Sequence, residues 1–287
     1  MPQGVSHAPR LTPRDFKQLA ALIEERTGVR MPPNKQTMVE GRLHRRLRER
    51  GLSSFADYCH FLFEEGGLEV EIADLIDLVT THKTEFFREP QHFEILTEQV
   101  VPALLHRDIG IHRPLKVWSA ACSIGAEPYT LAMVLNDYRV SQPALHFRIM
   151  GTDISTQVLK TATQAIYPEE MAEPIPLPLR QRYLLRSRDP TAQQIRMAPE
   201  MRGLVEFRAI NFMDDHYDLP SLQDIVFCRN VIIYFDMPVR TLVLQRICQQ
   251  ITVGGYLFMG HSETLSGMPL PLRQVFPTVY QRTPYVT

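Results

Sequence analysis

The chain has 287 residues, 44% of them hydrophobic and 22% charged, and a formal net charge of −1. This composition supports a large core and excludes both dominant disorder and a globally basic nucleic-acid binder. No run approaches ~18 uninterrupted apolar residues, so no membrane span is expected, and the opening MPQGVSHAPR lacks the apolar core of a secretory signal. Cys59, Cys122, Cys228 and Cys248 stand far apart, with no CxxC or Cys/His cluster. They read as buried reduced thiols in a cytosolic protein rather than as a metal centre or a disulfide framework.

The first ten residues read as a flexible tail. Thr12-Pro13 then supplies a helix cap and a first-turn proline, and Phe16, Leu19, Ala20 and Ile23 follow at helical spacing up to a stop at Gly28. A second helix is expected from about Lys35 to Arg50, with Met38, Val39, Leu43 and Leu47 as its apolar stripe and Gly51 behind it. Ser53 or Ser54 caps a third helix containing Phe55, Tyr58, Phe61 and Leu62. Leu68, Ile72, Leu75, Ile76 and Val79 define a fourth. No strand pattern precedes residue 80, so this part reads as a small helical domain. Its charges are segregated: residues 30–50 carry seven Arg/Lys and two Glu, and residues 51–80 carry seven Asp/Glu and no Arg or Lys. Such blocks are either faces that neutralise each other or a docking surface.

Beyond about residue 90 the texture changes. Leu115–Ala120, Phe147–Thr152, Ile225–Cys228 and Tyr256–Met259 are short apolar runs. Helical segments at Glu127–Tyr138, Ser155–Ala165 and Pro238–Gln250 alternate with them. That alternation predicts an α/β fold with a doubly wound, mostly parallel sheet, which binds ligands at the carboxyl ends of its strands. Proline-rich Tyr167–Pro178 breaks the pattern. After it, Arg182–Arg186, Gln194–Ala198 and Val205–Ile210 read either as a small antiparallel meander or as an irregular surface loop.

Four segments fall where such a fold places chemistry. In VWSAACSIGAEPYTLAM (117–133) a strand ends in small residues, turns at Gly125 and enters a helix at Glu127-Pro128. Small side chains let a ligand approach the backbone, yet GxGxxG and GxxxxGK[ST] are both absent, which argues against a dinucleotide enzyme or a P-loop NTPase. Asp153, closing the next strand in IMGTDIS, is either a helix cap or an acceptor for ribose hydroxyls. Together with Gly125 it favours an adenosine-containing ligand. In DIVFCRNVIIYFD (224–236), Arg229 and Asn230 end a strand and Tyr234 follows. Arg229 suits a ligand edge or a structural ion pair, and Tyr234 a substrate contact or a core aromatic. The fourth segment, TTHKTEFFREPQHF (80–93), lies at the domain junction, where its paired Phe residues read equally well as core.

In this order and spacing, TTHKTEFFR, WSAACSIGAEPY, GTDI and RNVIIYF resemble the chemotaxis receptor methyltransferases, the CheR family, and the resemblance runs from about Leu11 to Tyr280. It implies a helical receptor-docking domain at 11–80, a linker at 81–90 contributing to the active site, and a class I, Rossmann-like methyltransferase domain at 91–287. A small antiparallel β-subdomain at about 182–208 is implied within the last. The resemblance implies S-adenosylmethionine as methyl donor, with S-adenosylhomocysteine as product, no metal, and receptor glutamates as substrate. Carried over by position, the cofactor pocket includes His82, Thr84, Arg88, Glu127, Asp153, Asn211, Phe212, Arg229 and Asn230. Arg88 and Tyr234 carry the catalytic roles. His82 stands where the family commonly has Asn, and Ala126 where many members have a first acid; Glu127 keeps the second.

Methyl transfer from a sulfonium to a carboxylate needs alignment rather than a strong base, since glutamate, with a reference pKa near ~4.3, is already ionised at neutral pH. The resemblance further implies that Lys35, Arg42, Arg45 and Arg48 dock on the acidic methylation helices of chemoreceptors, and that some members bind a C-terminal receptor tether on the β-subdomain. The glycines often found in that hairpin are missing between Arg186 and Ala198. The expected protein is a cytoplasmic monomer at receptor arrays, without nucleic-acid partner or membrane insertion. Its rivals are a methyltransferase of the same fold acting on a small molecule or RNA, and a non-catalytic adaptor.

Overall fold

The computed structural model describes residues 10–284. The expected tail, except for Arg10, lies outside that range. The chain divides into two compact units, Met1–Thr81 with Tyr234–Asp236, and His82–Ile233 with Met237–Thr287.

The first unit is helical. Helix α1 (Pro13–Thr27) starts where the Thr12 hydroxyl accepts the Asp15 N–H, and it ends at Gly28, whose φ of 71° an L side chain rarely adopts. A 3-10 turn (Pro33–Lys35) leads into α2 (Gln36–Arg50), followed by α3 (Phe55–Phe63), capped by Ser54, and α4 (Leu68–Val79). Leu19, Ile23, Val39, Leu43, Phe55 and Leu75 are among its buried core residues. Burying such side chains stabilises the unit by about 1.5–3 kcal/mol each before entropy is counted.

The opposed charge blocks neutralise each other in part. Glu71 is fully buried, and its carboxylate accepts bonds from Arg46 Nε (2.5 Å), Arg50 Nη2 (2.5 Å) and the Tyr58 hydroxyl (3.0 Å). Burial pushes the Glu71 carboxyl up, but the bonds from Arg46 and Tyr58 outweigh it and hold the group below its usual range. Arg46 also reaches Asp74.

The second unit begins with a helical stretch, α5 (Gln91–Ile95), a π turn (Leu96–Val100) and α6 (Val101–Leu105). Pro102 has no N–H to give and its ring crowds the preceding turn, so the helical ladder widens there. Strand β1 (Leu115–Ala120), helix α7 (Ala126–Ser141), strand β2 (Phe147–Asp153) and helix α8 (Thr156–Gln164) follow. Next come β3 (Ile166–Pro168), α9 (Leu177–Tyr183), β4 (Leu184–Arg186), β5 (Gln194–Met197), α10 (Pro199–Arg202) and β6 (Val205–Ala209). The chain closes with β7 (Gln223–Cys228), α11 (Met237–Gln249), β8 (Ile251–Met259), β9 (Leu272–Phe276) and β10 (Val279–Arg282).

The main sheet has seven strands in the order β6-β2-β1-β7-β8-β10-β9. The first five run parallel, and the β9–β10 hairpin adds an antiparallel edge. Strand order reverses between β1 and β7, the switch point where an open α/β sheet leaves a crevice at its carboxyl edge. Val117, Ile149, Ile225, Phe227 and Phe258 bury one face, and Trp118, Met150, Val226 and Leu257 the other, which explains the continuous apolar runs.

A second sheet, β3-β5-β4, is antiparallel. The strands expected at 182–186 and 194–198 belong to it, but its third member is Ile166–Pro168 in the proline-rich stretch. Val205–Ala209, assigned to the small subdomain from sequence, is instead β6 and pairs parallel with β2. Val205 and Phe207 pack on the main core, which draws this strand to the large sheet. The subdomain therefore spans about 166–197 rather than 182–208. All four cysteines are free and buried.

Candidate active site

The parts of the singled-out segments that belong to the second unit, His82 to Phe93, the turn after β1, Asp153 and Arg229-Asn230, lie along the carboxyl edge of β1, β2 and β7. Strand β1 ends at Ala120, and the chain turns through Ala121 and Ser123, both with positive φ, to Gly125. A Cβ on Gly125 would lie 2.9 Å from the Ala162 Cβ and 3.2 Å from the Tyr167 hydroxyl. This glycine therefore serves the φ of 91° and the close approach of α8 as much as any ligand. Phe87, Glu89 and Asn230 share the strained geometry, so five of the nine non-glycine residues with positive φ among the described residues sit in these loops. Such strain persists where surrounding structure over-determines it, often at functional sites.

Asp153 closes β2 and is 6% exposed. Its Oδ2 accepts the Ser123 N–H (2.8 Å) and its Oδ1 the Ser155 N–H (3.0 Å). Burial raises its pKa, while these amides and the nearby His82 imidazole pull it down. The Ile154 amide draws it down as well. The sequence left Asp153 as helix cap or hydroxyl acceptor; the α8 cap is Ser155, whose hydroxyl accepts the Val158 N–H. His82 is tied in through its backbone oxygen, which accepts the Ser123 hydroxyl (3.0 Å).

Glu127, in the first turn of α7, lies in a chain of charged bonds. Its Oε1 accepts the Ser119 hydroxyl (2.6 Å) and its Oε2 accepts Arg229 Nε (2.7 Å). Arg229, 7% exposed, also donates to the Arg88 backbone oxygen (2.7 Å) and to His92 Nδ1 (3.1 Å), and lies 3.5 Å from Glu89 Oε2. The structural reading of Arg229 is thus present in full, and its guanidinium fixes Glu127. Because His92 Nδ1 accepts from Arg229, the ring proton sits on Nε2 and is donated to the Thr278 hydroxyl (2.7 Å). Burial, with Arg229 adding to it, pushes His92 down to about 4, so the ring is neutral near pH 7.

Arg88 turns its side chain to the Lys83 backbone oxygen (3.2 Å), and Thr84 is half-buried in the same segment. Asn211 and Phe212 follow β6, where the Ile210 N–H reaches the Asp153 backbone oxygen (3.1 Å). Asn211 Oδ1 accepts the Met213 N–H (3.0 Å). Asn230 donates its side-chain amide to Glu89 Oε1 (3.3 Å). Sequence reasoning missed Glu89, His92, Ser119, Ser123 and Glu263. The first two lie inside the junction segment, but only the fold reveals their link to Arg229. Glu89, His92 and His261 are spaced as metal ligands can be. The Arg229 cation already holds that position.

Tyr234 belongs to the helical unit. Its backbone oxygen accepts the Arg30 N–H (2.9 Å), and Lys35 Nζ stands 5.8 Å from the centre of its ring. The residue is partly buried. The docking set, Lys35 in the turn before α2 and Arg42, Arg45 and Arg48 on it, is divided. Lys35 donates to the Arg30 backbone oxygen (2.9 Å), and Arg42 to those of Leu78 (3.1 Å) and Thr80 (2.8 Å). These two serve the helical unit itself. Arg45 and Arg48 are exposed, Arg45 sharing a surface pair with Glu49.

Residues 82–281 match the family model described as CheR methyltransferase, SAM binding domain, and residues 14–80 match CheR methyltransferase, all-alpha domain. The chain belongs to the CheR methyltransferase family. It is 40% identical over 270 residues to chemotaxis protein methyltransferase 2 of Pseudomonas aeruginosa, covering 94% of this chain and 93% of that protein. To the chemotaxis protein methyltransferase of Escherichia coli it is 35% identical, covering 94% of this chain and 91% of that one. This CheR-family chain is an S-adenosylmethionine-dependent methyltransferase. No helix among its described residues is long and apolar enough to cross a membrane.

Proposed function

We propose that this methyltransferase esterifies glutamate side chains of chemoreceptors, as a protein-glutamate O-methyltransferase of chemotactic adaptation. The observation that carries the reading is the clustering of Asp153, Glu127, Arg229 and Asn230 at the switch-point edge in a chain whose relatives are named chemotaxis methyltransferases.

The donor set fits S-adenosylmethionine. Asp153 has accepting capacity left for ribose hydroxyls, and buried carboxylates suit a cofactor with an ammonium and a sulfonium. When bound, the cofactor supplies a methyl carbon that a carboxylate oxygen displaces from sulfur, leaving the thioether S-adenosylhomocysteine. The chain's own groups bind and orient. Asp153 holds the ribose edge, with His82, Thr84, Asn211, Phe212 and Asn230 around the same pocket. Glu127, fixed by Ser119 and Arg229, receives the cofactor's ammonium side. Arg88 orients carboxylates, and the Tyr234 hydroxyl positions the incoming glutamate. Correct alignment in a site that excludes water contributes up to about 7–11 kcal/mol to such a displacement. An arginine clamped directly on the nucleophilic oxygen would slow it, which is consistent with an Arg229 engaged by Glu127.

The exposed Arg45 and Arg48 of α2 suit an acidic helical partner, and their charge favours a receptor glutamate segment over a small-molecule substrate. The small sheet has a groove lined by Glu169, Arg180, Leu184, Arg186 and Gln194 among others, and a receptor tether, where one is bound, would lie along it. The reading implies a cytoplasmic protein working at receptor arrays as a monomer, without metal or nucleic acid. Incubation with radiolabelled S-adenosylmethionine and receptor membranes tests it. Alkali-labile label on the receptor is the expected result; label stable to alkali, or label on RNA, would overturn it.

A further inference from the structure

Strands β7 and β8 finish side by side, with Cys228 opposite Met259. Just past these ends, Asn230, two residues beyond Cys228, and Gly260, directly after Met259, are packed so closely that a Cβ on Gly260 would lie 2.5 Å from Asn230 Nδ2 and 2.9 Å from Asn230 N. Into this joint comes the carboxylate of Glu263, 4% exposed. Its Oε2 accepts the N–H groups of Asn230 and Gly260, both at 2.8 Å, and its Oε1 accepts the Ile232 N–H at 3.0 Å. One buried carboxylate thus gathers three amides from two strand ends. Asn230 sits at φ 58°, and Ile232 opens the 3-10 turn Ile232–Tyr234. Glu89 reinforces the joint, accepting the Asn230 side-chain amide (3.3 Å) and the His261 N–H (3.2 Å) on one oxygen.

A buried anion is costly unless its bonds are specific, and an uncharged side chain would suffice for a simple turn. Burial pushes the Glu263 carboxyl up while the backbone amides pull it down, and its two oxygens span what a single hydroxyl or amide oxygen cannot. We propose that Glu263 is a positioning residue for methyl transfer: it holds Asn230 in its left-handed conformation and fixes where the turn leading to Tyr234 begins. This rests on the cofactor reading of Asn230 above.

Glu263→Gln keeps the size but offers an NH2 group to at least one backbone N–H, so the clamp opens on that side. In the full chain, calorimetry with S-adenosylhomocysteine should show affinity weakened at least about tenfold, with KM for S-adenosylmethionine raised in parallel. KM for the receptor should stay near wild type, because the α2 face is untouched. Amide exchange at Asn230, Ile232 and Gly260 should accelerate. Glu263→Asp, which keeps the charge, should restore part of the affinity, and it carries the test if the Gln variant fails to fold. A variant with a lowered melting temperature whose folded fraction binds and turns over cofactor as wild type does would overturn the proposal. So would unchanged exchange at the three amides. Failure of the wild-type chain itself to bind S-adenosylhomocysteine would overturn the cofactor reading, and this role with it.

Discussion

At the scale of single residues, the site separates groups that face a ligand from groups that hold other residues. Asp153 and Arg229 looked alike in the sequence, each a charged residue closing a strand. The fold distinguishes them: Asp153 accepts backbone amides of its own turn and of Ser123, whereas Arg229 is engaged with Glu127, the Arg88 backbone and His92. Asp153→Ala should therefore remove charge-assisted bonds to the cofactor, about 1.5–3 kcal/mol, seen by calorimetry as at least about tenfold weaker S-adenosylhomocysteine binding. Tyr234→Phe should behave oppositely, lowering turnover with cofactor affinity unchanged; normal methylation would remove Tyr234 from the mechanism. His92 gives a pH test. Its folded pKa lies near 4, depressed by burial and by Arg229 and His261 against the opposing Glu89, from a reference value of 6.5. Stability it confers is present above pH 6.5 and is lost as pH falls through that window, because the unfolded chain takes up the proton first. Between about pH 7 and about pH 5 the loss is about 2 kcal/mol. Urea unfolding should show a smaller acid-side loss for His92→Gln than for wild type, and equal losses would contradict the neutral, buried ring.

At the scale of elements, α2 carries both structural and outward-facing cations. Its helical period was legible from Val39, Leu43 and Leu47, all buried as expected. Which arginines the helical unit retains was not legible, because that depends on where α4 lies. Arg46 and Arg50 converge on buried Glu71, and Arg42 binds the end of α4, while Arg45 and Arg48 face outward. Reversing Arg45 and Arg48 to Glu should abolish most receptor methylation while leaving melting temperature and S-adenosylhomocysteine binding near normal. Raised salt should weaken the wild-type reaction in the same direction. Arg46→Ala should instead destabilise the unit, by about 3–5 kcal/mol, since it strips a partner from a buried carboxylate. Docking by Arg45 and Arg48 fails if their reversal lowers stability but leaves the folded fraction fully active. The same dependence on partners explains β6. Alternation alone suited Val205–Ala209 to either sheet, and β2, distant in sequence, decided between them. The β9–β10 hairpin went unread because its strands are short and half-exposed, with little of the apolar run that marked the parallel strands.

At the scale of the whole molecule, sequence periodicity was enough for the helical first unit and the parallel core of the second, because both bury apolar stripes in long segments. The carboxyl edge of the sheet was legible where small or charged residues terminate strands, at Gly125, Asp153 and Arg229. It was not legible where the site is built by residues bonding across the fold, as with Glu89, His92 and Glu263. The joint presence of the all-alpha and SAM-binding family segments makes the chain a CheR-family methyltransferase. Mass-spectrometric mapping of a receptor cytoplasmic fragment after reaction with S-adenosylmethionine bearing a trideuteromethyl group tests the central claim most directly. The account predicts the heavy methyl as an ester on glutamate side chains of the receptor helices, formed by wild type and lost with Asp153→Ala. A heavy methyl on nitrogen, on another residue type or on no receptor residue at all would contradict it.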